Sequence, residues 1–377
     1  MRIAIIHDWL TGMRGGEYVL EAMCELLPDA ELFTLIHIKG KLSPLIESKK
    51  IHTSFLQRVP NIDQYYRHFL PLMPKAIESF DLSGFDLVVS SSHCVAKGVK
   101  KAEGAVHVSY IHAPMRYIWN RFDDYFGPGK ASVPVRFAAK ILRSSLQTWD
   151  QKVSTPERVD YLVANSSYIA KQILQAYQRE AAVIYPFADL GRFRAPRNPG
   201  GNYLMVGAFA PYKRIDLAIE AFNRLKLPLE IIGSGQDEDK LRSLAGPTVK
   251  FLGTKTNEDI AQYLSQCRGF VFPGVEDFGI TLIEAMAAGA PVIAYNEGGA
   301  AESIDVRSGI LFSPQSVEAL IAAVESFESG ISSLNEQACR DRAAQFSKAH
   351  FQEKFKALIV RAWANSRKNP LDLKFGV

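Results

Sequence analysis

The chain has no stretch approaching the roughly 18 consecutive apolar residues that a membrane span requires. Its opening apolar run, "IAII", stops at His7 and Asp8, too short and too polar for a signal-peptide core. These two absences lead us to expect a cytoplasmic protein that meets a membrane only at its surface. Cysteine is also sparse. Cys24, Cys94, Cys267 and Cys339 are far apart with no C-x-x-C pair, so neither a disulfide framework nor a zinc site is indicated, and a reducing compartment fits. The charge is nearly balanced, 44 Lys and Arg against 40 Asp and Glu, which falls short of the strong basicity of a dedicated nucleic-acid binder. No nucleic-acid partner is expected, and no motif indicates a bound metal or cofactor.

What remains is a chain of 377 residues, 47% of them apolar, enough for two or three domains with substantial cores. Two segments share one layout, "RIAIIHDWLTGMRGGEYVLEAM" from Arg2 and "NYLMVGAFAPYKRIDLAIEAF" from Asn202. Each reads as an apolar strand, a loop carrying Gly or Pro, and a helix with apolar positions three and four apart. That is the opening of a doubly wound α/β domain, made twice. The strands "FDLVVSSS" and "AVHVSYIH" follow the first opening, and "LEIIGSG", "VKFLG", "GFVFPG" and "PVIAY" follow the second. Between the two halves "FADLGRFRAPRNPGGN" has no period of two or 3.6 and reads as a linker. The expected organisation is an N-terminal Rossmann-like domain over 1–186, a linker over 187–201, a C-terminal Rossmann-like domain over 202–348, and a last segment, 349–377, whose helix packs back on the first domain. The two domains are expected to face each other across a cleft, with loops from the strand carboxyl ends aimed into it.

The segment "GVEDFGITLIEAMAAG", Gly274 to Gly289, places Glu276 and Glu284 eight positions apart. "GFVFPG" is a strand, and a helix runs from about Gly279 to Ala288 before Gly289 and Pro291 end it. Glu276 then lies on the loop and Glu284 about one turn inside the helix. Backbone N–H groups at Phe278, Gly279 and Ile280 open that helix and suit a phosphate. A carboxylate accepts two hydrogen bonds and can hold a vicinal diol, so the pair can bracket a sugar nucleotide. A hydrolytic carboxylate pair fares poorly, because eight residues at ~1.5 Å rise would span about 12 Å if all were helical, whereas such pairs sit roughly 5 to 9.5 Å apart. For a lone pair at this spacing, ordinary solvated helix-end glutamates would be the preferred reading. The Phe-Gly insertion and the second glycine-bearing helix start, Gly298-Gly299 in "PVIAYNEGGAAESI", favour a ligand.

With these residues in place the chain resembles glycosyltransferase family 4, retaining enzymes of the GT-B fold, through the E-x7-E pattern met by Glu276 and Glu284. The likeness extends from Gly15-Gly16 through "YIHAPMRYIW" and "PYKRIDLAIEAF" to the glycine pair. It implies that Glu276 contacts the donor hexose, Glu284 the nucleotide ribose and Lys213 the diphosphate. A diphosphate needs fixed cations, and Lys213 and Arg214 stand where a helix dipole disfavours them, which again favours a ligand. One departure is Gly207-Ala208, where many relatives carry Arg, so either Arg214 supplies that charge or the site has one cation fewer. "HAPMRYIW" is similar to the bacterial mannosyltransferase branch that builds surface polysaccharides. There His112 is expected beside the donor sugar, as a charge-stabilising group and not a general base, with Arg116 and Tyr117 on the acceptor. A lone histidine or an aromatic cluster after a strand is otherwise most often structural.

Gly12, Gly15 and Gly16 before a helix at Glu17 form a phosphate-sized loop, but not G-x-G-x-x-G, and "IIGSG" lacks a third glycine. Both count against a nicotinamide enzyme. Between Tyr125 and Trp149 there are Lys130, Arg136, Lys140 and Arg143 and no acid. Arg136, Lys140 and Arg143 make one helical stripe opposite Val135, Ala139, Leu142, Leu146 and Trp149. The stripe is either a solvated face or an interfacial helix drawn to anionic lipid. The expectation is a retaining mannosyltransferase with GDP-mannose as donor substrate and a glycan or polyprenyl-diphosphate-linked acceptor. A UDP-hexose donor, a sugar-nucleotide epimerase of the same fold and a non-catalytic binding subunit are the alternatives.

Overall fold

The computed structural model describes residues 1–120, 122, 133–330, 334–366 and 375, without the side chains of 135 and 138. The chain forms two compact units, Met1–Tyr185 with Gln352–Val377, and Pro186–Phe351. The segment read as a linker, 187–201, groups with the second unit and carries a 3-10 turn, Leu190–Phe193.

The first unit is built on β1 (Ile3–His7), β2 (Glu31–Thr34), β3 (Ile51–Thr53), β4 (Leu87–Ser92), β5 (Val106–Ile111), β6 (Tyr161–Ala164) and β7 (Ala182–Val183). They form one parallel sheet in the order β3-β2-β1-β4-β5-β6-β7. Strands β1, β4 and β5 are buried at every position, as the middle of a sheet covered on both faces must be. Register then fixes what gathers at their carboxyl ends: His7 pairs with Ser91, and Ser92 with Ile111. Within this unit the helix Lys348–Asn365 places Phe355 edge-on to Tyr110, and Gln352 donates to the Ala22 carbonyl at 3.2 Å.

The second unit holds β8 (Tyr203–Val206), β9 (Leu229–Ile232), β10 (Val249–Gly253), β11 (Phe270–Phe272), β12 (Val292–Tyr295) and β13 (Gly309–Phe312). Their parallel order is β10-β9-β8-β11-β12-β13. The direction of winding reverses between β8 and β11, and in open α/β sheets ligands bind at that reversal. Both strands run into loops that end at helices, Ile215–Leu225 after β8 and Ile280–Ala287 after β11. The first of these helices buries Ile215, Leu217, Ala218, Ile219, Ala221 and Phe222 against the sheet. Among the described residues no helix is long and apolar enough to cross a membrane.

Candidate functional site

Lys213 ends a 3-10 turn, Pro211–Lys213, after β8, and Glu276 lies in the loop after β11. Their side chains form an ion pair across the point where the sheet reverses. Both are mostly but not fully buried, Lys213 to 13% and Glu276 to 19% exposure. The lysine ammonium also lies 5.2 Å from the Phe272 ring centroid, so aromatic surface flanks it. Glycine makes this approach possible: a Cβ at Gly274 would stand 2.6 Å from the Tyr212 carbonyl oxygen. The Gly298-Gly299 turn closes on the same loop, with Gly299 N–H donating to the Glu276 carbonyl at 2.9 Å. A Cβ on Gly299 would meet the Phe278 oxygen at 1.9 Å, so no side chain fits there.

Gly279 caps the helix Ile280–Ala287 in the left-handed region, φ 85°, where glycine carries no Cβ penalty. Phe278 turns its ring into the core against Phe346, centroids 5.5 Å apart. Ile280 is the first helical residue and Glu284 stands in the second turn. Arg192 approaches Glu284 at 3.4 Å. Burial pushes the Glu284 carboxyl up, while Arg192 opposes the rise and Asp189 adds to it. Arg214, a left-handed residue before its helix, turns to Asp216 at 3.2 Å and to Gln315 Oε1 at 3.2 Å. It does not share the Glu276 carboxylate in the way Lys213 does.

The first unit gathers a polar cluster at the ends of β1, β4 and β5. Asp8 is fully buried and accepts from the backbone N–H groups of His93, Cys94, Val95 and Ala96 at 2.7, 3.0, 2.6 and 2.8 Å. Burial would raise its carboxyl, but His93, His7 and these donors outweigh that and hold it below the usual range. Ser91 Oγ lies 2.8 Å from His112 Nε2 and 3.2 Å from His7 Nδ1, and His7 Nε2 faces Glu17 Oε1 at 3.8 Å. Burial, then His93 and His7, push His112 down to about 3, so its ring is neutral at physiological pH. A Ser91 hydroxyl donating to Nε2 leaves the ring proton of His112 on Nδ1. A Cβ on Gly16 would lie 3.7 Å from His112 Nε2, which brings the glycine loop at Gly15-Gly16 onto the same histidine.

Arg116 is half-buried and its charge bears on His93, whereas Tyr117 packs against the apolar core of the first unit. The basic stripe needs correction. In the helix Val133–Lys152, Arg143 donates to the carbonyls of Ile118 at 2.7 Å and Trp119 at 3.3 Å, and it covers the Phe122 ring. Its charge is therefore committed to chain carbonyls, and Arg136 is half-buried. Ala139 and Leu146 are buried as expected, but Leu142 is not, and Val133, Phe137 and Ile141 are exposed. Lys130 and the side chain of Val135 lie outside the described residues. Sequence reasoning missed Asp8, Glu17, Ser91 and Arg192. A "HD" pair closing the first strand was the available signal for Asp8.

Two units, each built on a parallel, doubly wound α/β sheet, are the architecture of the GT-B fold. Residues 194–345 match the family model described as glycosyl transferases group 1. The chain is 33% identical to O-antigen chain mannosyltransferase C of Escherichia coli over 229 residues, 55% of this chain and 60% of that one. It is 35% identical over 144 residues to a GDP-mannose-dependent alpha-mannosyltransferase of Mycolicibacterium smegmatis, 37% of this chain and 38% of that one. The chain thus covers less than two thirds of the length of either relative. Its fold is that of Anabaena HepE, solved in complex with UDP, at a TM-score of 0.70 and 16% identity over 96% of this chain and 100% of that one.

Proposed function

We propose that the protein is a retaining glycosyltransferase that moves mannose from GDP-mannose to a glycan or polyprenyl-diphosphate-linked acceptor. The observation that carries this reading is the Lys213–Glu276 pair beside a glycine-capped helix start, at the reversal of the second sheet. Without donor each charge neutralises the other. An arriving diphosphate brings about two negative charges and takes over the ammonium, while hexose hydroxyls take over the Glu276 carboxylate. Lys213 then opposes the charge that grows on the leaving diphosphate, and Glu284 holds the ribose diol. The departing phosphate accepts the proton of the acceptor hydroxyl, which attacks on the same face. The chemistry is assigned to side chains and substrate, with no metal or cofactor.

Support for mannose comes from the names of the two relatives. The UDP bound in HepE favours a second reading, the same reaction with a UDP-hexose. Calorimetric titration with GDP-mannose, UDP-glucose, GDP and UDP, repeated on Glu276→Ala, separates them. Guanosine preference that weakens in the variant supports the mannosyl reading, uridine preference replaces the donor, and no binding removes the class. We further assign a peripheral membrane contact to the exposed Val133, Phe137 and Ile141 beside Lys140. Its check is salt-sensitive co-sedimentation with anionic liposomes that Phe137→Ser abolishes.

A further inference from the structure

Glu284 is held by a group that no motif contains. Arg192, in the turn Leu190–Phe193, reaches it at 3.4 Å. The turn is itself fixed, because Asp189 accepts from Gly191 N–H at 3.2 Å. The guanidinium lies over the Phe193 ring, 5.1 Å from its centroid, and its buried Nε has no hydrogen-bond partner among the described residues. Stacked on one face and paired on one edge, the planar group has a fixed direction, as Arg favours. It borders a cavity of about 280 Å³ that Glu258 and Gln262 also line.

We propose that Arg192 is a positioning residue for nucleotide recognition: it orients Glu284 so that both carboxylate oxygens can accept the ribose hydroxyls of a nucleoside diphosphate. The inference rests on the reading of Glu284 as the ribose ligand. A carboxyl group in this place is biased toward its neutral form, which accepts fewer hydrogen bonds and would lose one hydroxyl of the diol. The charges around it are few and named. Arg192 and Asp189 come from the turn, and Glu258 from the helix Asn257–Gln266, which also lines the cavity. Arg340 and Glu336, on the helix Glu336–Ala344, sit by the far end of the helix Ile280–Ala287, where Arg340 donates to the Ala287 carbonyl. Arg192 is the cation of this set that pairs with Glu284.

The sign follows directly. Removing Arg192 lets the carboxyl rise further, so protonation, and with it loss of nucleotide, sets in at a higher pH. The test is calorimetric titration of the full chain with GDP, UDP and their 2′-deoxy forms, between pH 6 and 8.5. Arg192→Gln is expected to weaken the preferred ribonucleotide about tenfold at pH 6, the order of one charge-assisted contact, and less at pH 8.5. The 2′-deoxy form is expected to lose less, and Arg192→Lys to recover most of the affinity. Glu284→Gln is expected to weaken ribonucleotide binding with no dependence on pH.

Wild-type affinity in Arg192→Gln across the pH range, beside weakened binding in Glu284→Gln, overturns the role of Arg192 alone. An equal, pH-independent loss for ribo and deoxy forms overturns it too, since that is what a structural tie would give. Unchanged affinity in Glu284→Gln overturns the ribose reading and this inference with it. A melting curve on each variant identifies misfolding, and Arg192→Lys then carries the comparison.

Discussion

Two lysine–carboxylate pairs in this protein differ in every respect except their chemistry. Lys97 and Asp150, in the first unit, are sealed in, with side chains 2% and 0% exposed. Asp150 also accepts from Trp119 Nε1 at 2.8 Å and from the Tyr177 hydroxyl at 2.8 Å, and Lys97 donates to the Cys94 carbonyl at 3.4 Å. Lys213 and Glu276, in the second unit, keep access to solvent at the end of a sheet and have fewer competing partners. The first pair has its hydrogen-bonding capacity filled from within. The second has capacity to spare, and that is what a residue needs if it is to exchange a side chain for a ligand. Ion pairing alone therefore says little about role; the saturation of each partner distinguishes a structural pair from one poised to open.

The largest expected effect tests that distinction directly. Lys97→Met leaves Asp150 buried without its cation and should cost about 3 to 5 kcal/mol of stability. For a unit of this size that is a fall in Tm on the order of 10 °C. Lys213→Met leaves Glu276 with solvent to turn to, and should cost less than about 1 kcal/mol while abolishing measurable donor binding. Thermal melts and donor titrations on both variants check the pair. Equal loss of stability in the two would collapse the comparison.

A second buried polar group sharpens it on the pH axis. His107 is fully buried, with Nε2 2.8 Å from Ser90 Oγ and Nδ1 2.9 Å from the Arg158 carbonyl. Burial, only partly offset by that carbonyl, pushes it down to about 4. An unfolded histidine protonates near 6.5, so the folded state is the poorer proton binder between these values. Its stability is complete above about 6.5 and falls as pH drops toward 4, by about 2 kcal/mol at pH 5. Stability measured from pH 7 to 5 should therefore fall, with a shallower slope in His107→Gln. An unchanged slope would assign the acid sensitivity to groups other than His107.

Much of this could be read in the chain. The strands β1, β4 and β5, and β8 to β12, are apolar runs closed by turn residues, and they emerged as strands. The edge strands β3 and β7 are only three and two residues long and half-buried or exposed, so they carry no apolar run to find. Glu276, Gly279, Glu284 and Lys213 were legible because loop chemistry is local: a glycine, a helix start and a charge stand side by side in sequence. The partners that give those residues their state were not. Lys97 meets Asp150 across 53 positions, and Arg192 comes to Glu284 from a segment with no period at all. Arg143 was misplaced in the basic stripe for the same reason, because helical spacing showed its side of the helix but not that the carbonyls of Ile118 and Trp119 would be there to bind it.

The smallest effect bears on how firmly the poised pair is held. Gly279 has φ 85°, and an alanine there costs about 1 kcal/mol for its left-handed backbone. The new methyl would lie 2.8 Å from Leu282 Cδ1, the end of a side chain that can swing aside, and 3.6 Å from the Glu276 Cβ. Stability should accordingly fall by little more than the backbone cost. Donor affinity should fall further, because an alanine eases its left-handed φ by shifting the loop that carries Glu276. If Gly279→Ala loses stability but binds donor normally, the loop tolerates displacement and the position of Glu276 is set by Lys213 rather than by the glycine cap. If donor binding falls by more than the stability loss accounts for, the cap and the ion pair act together to place one carboxylate.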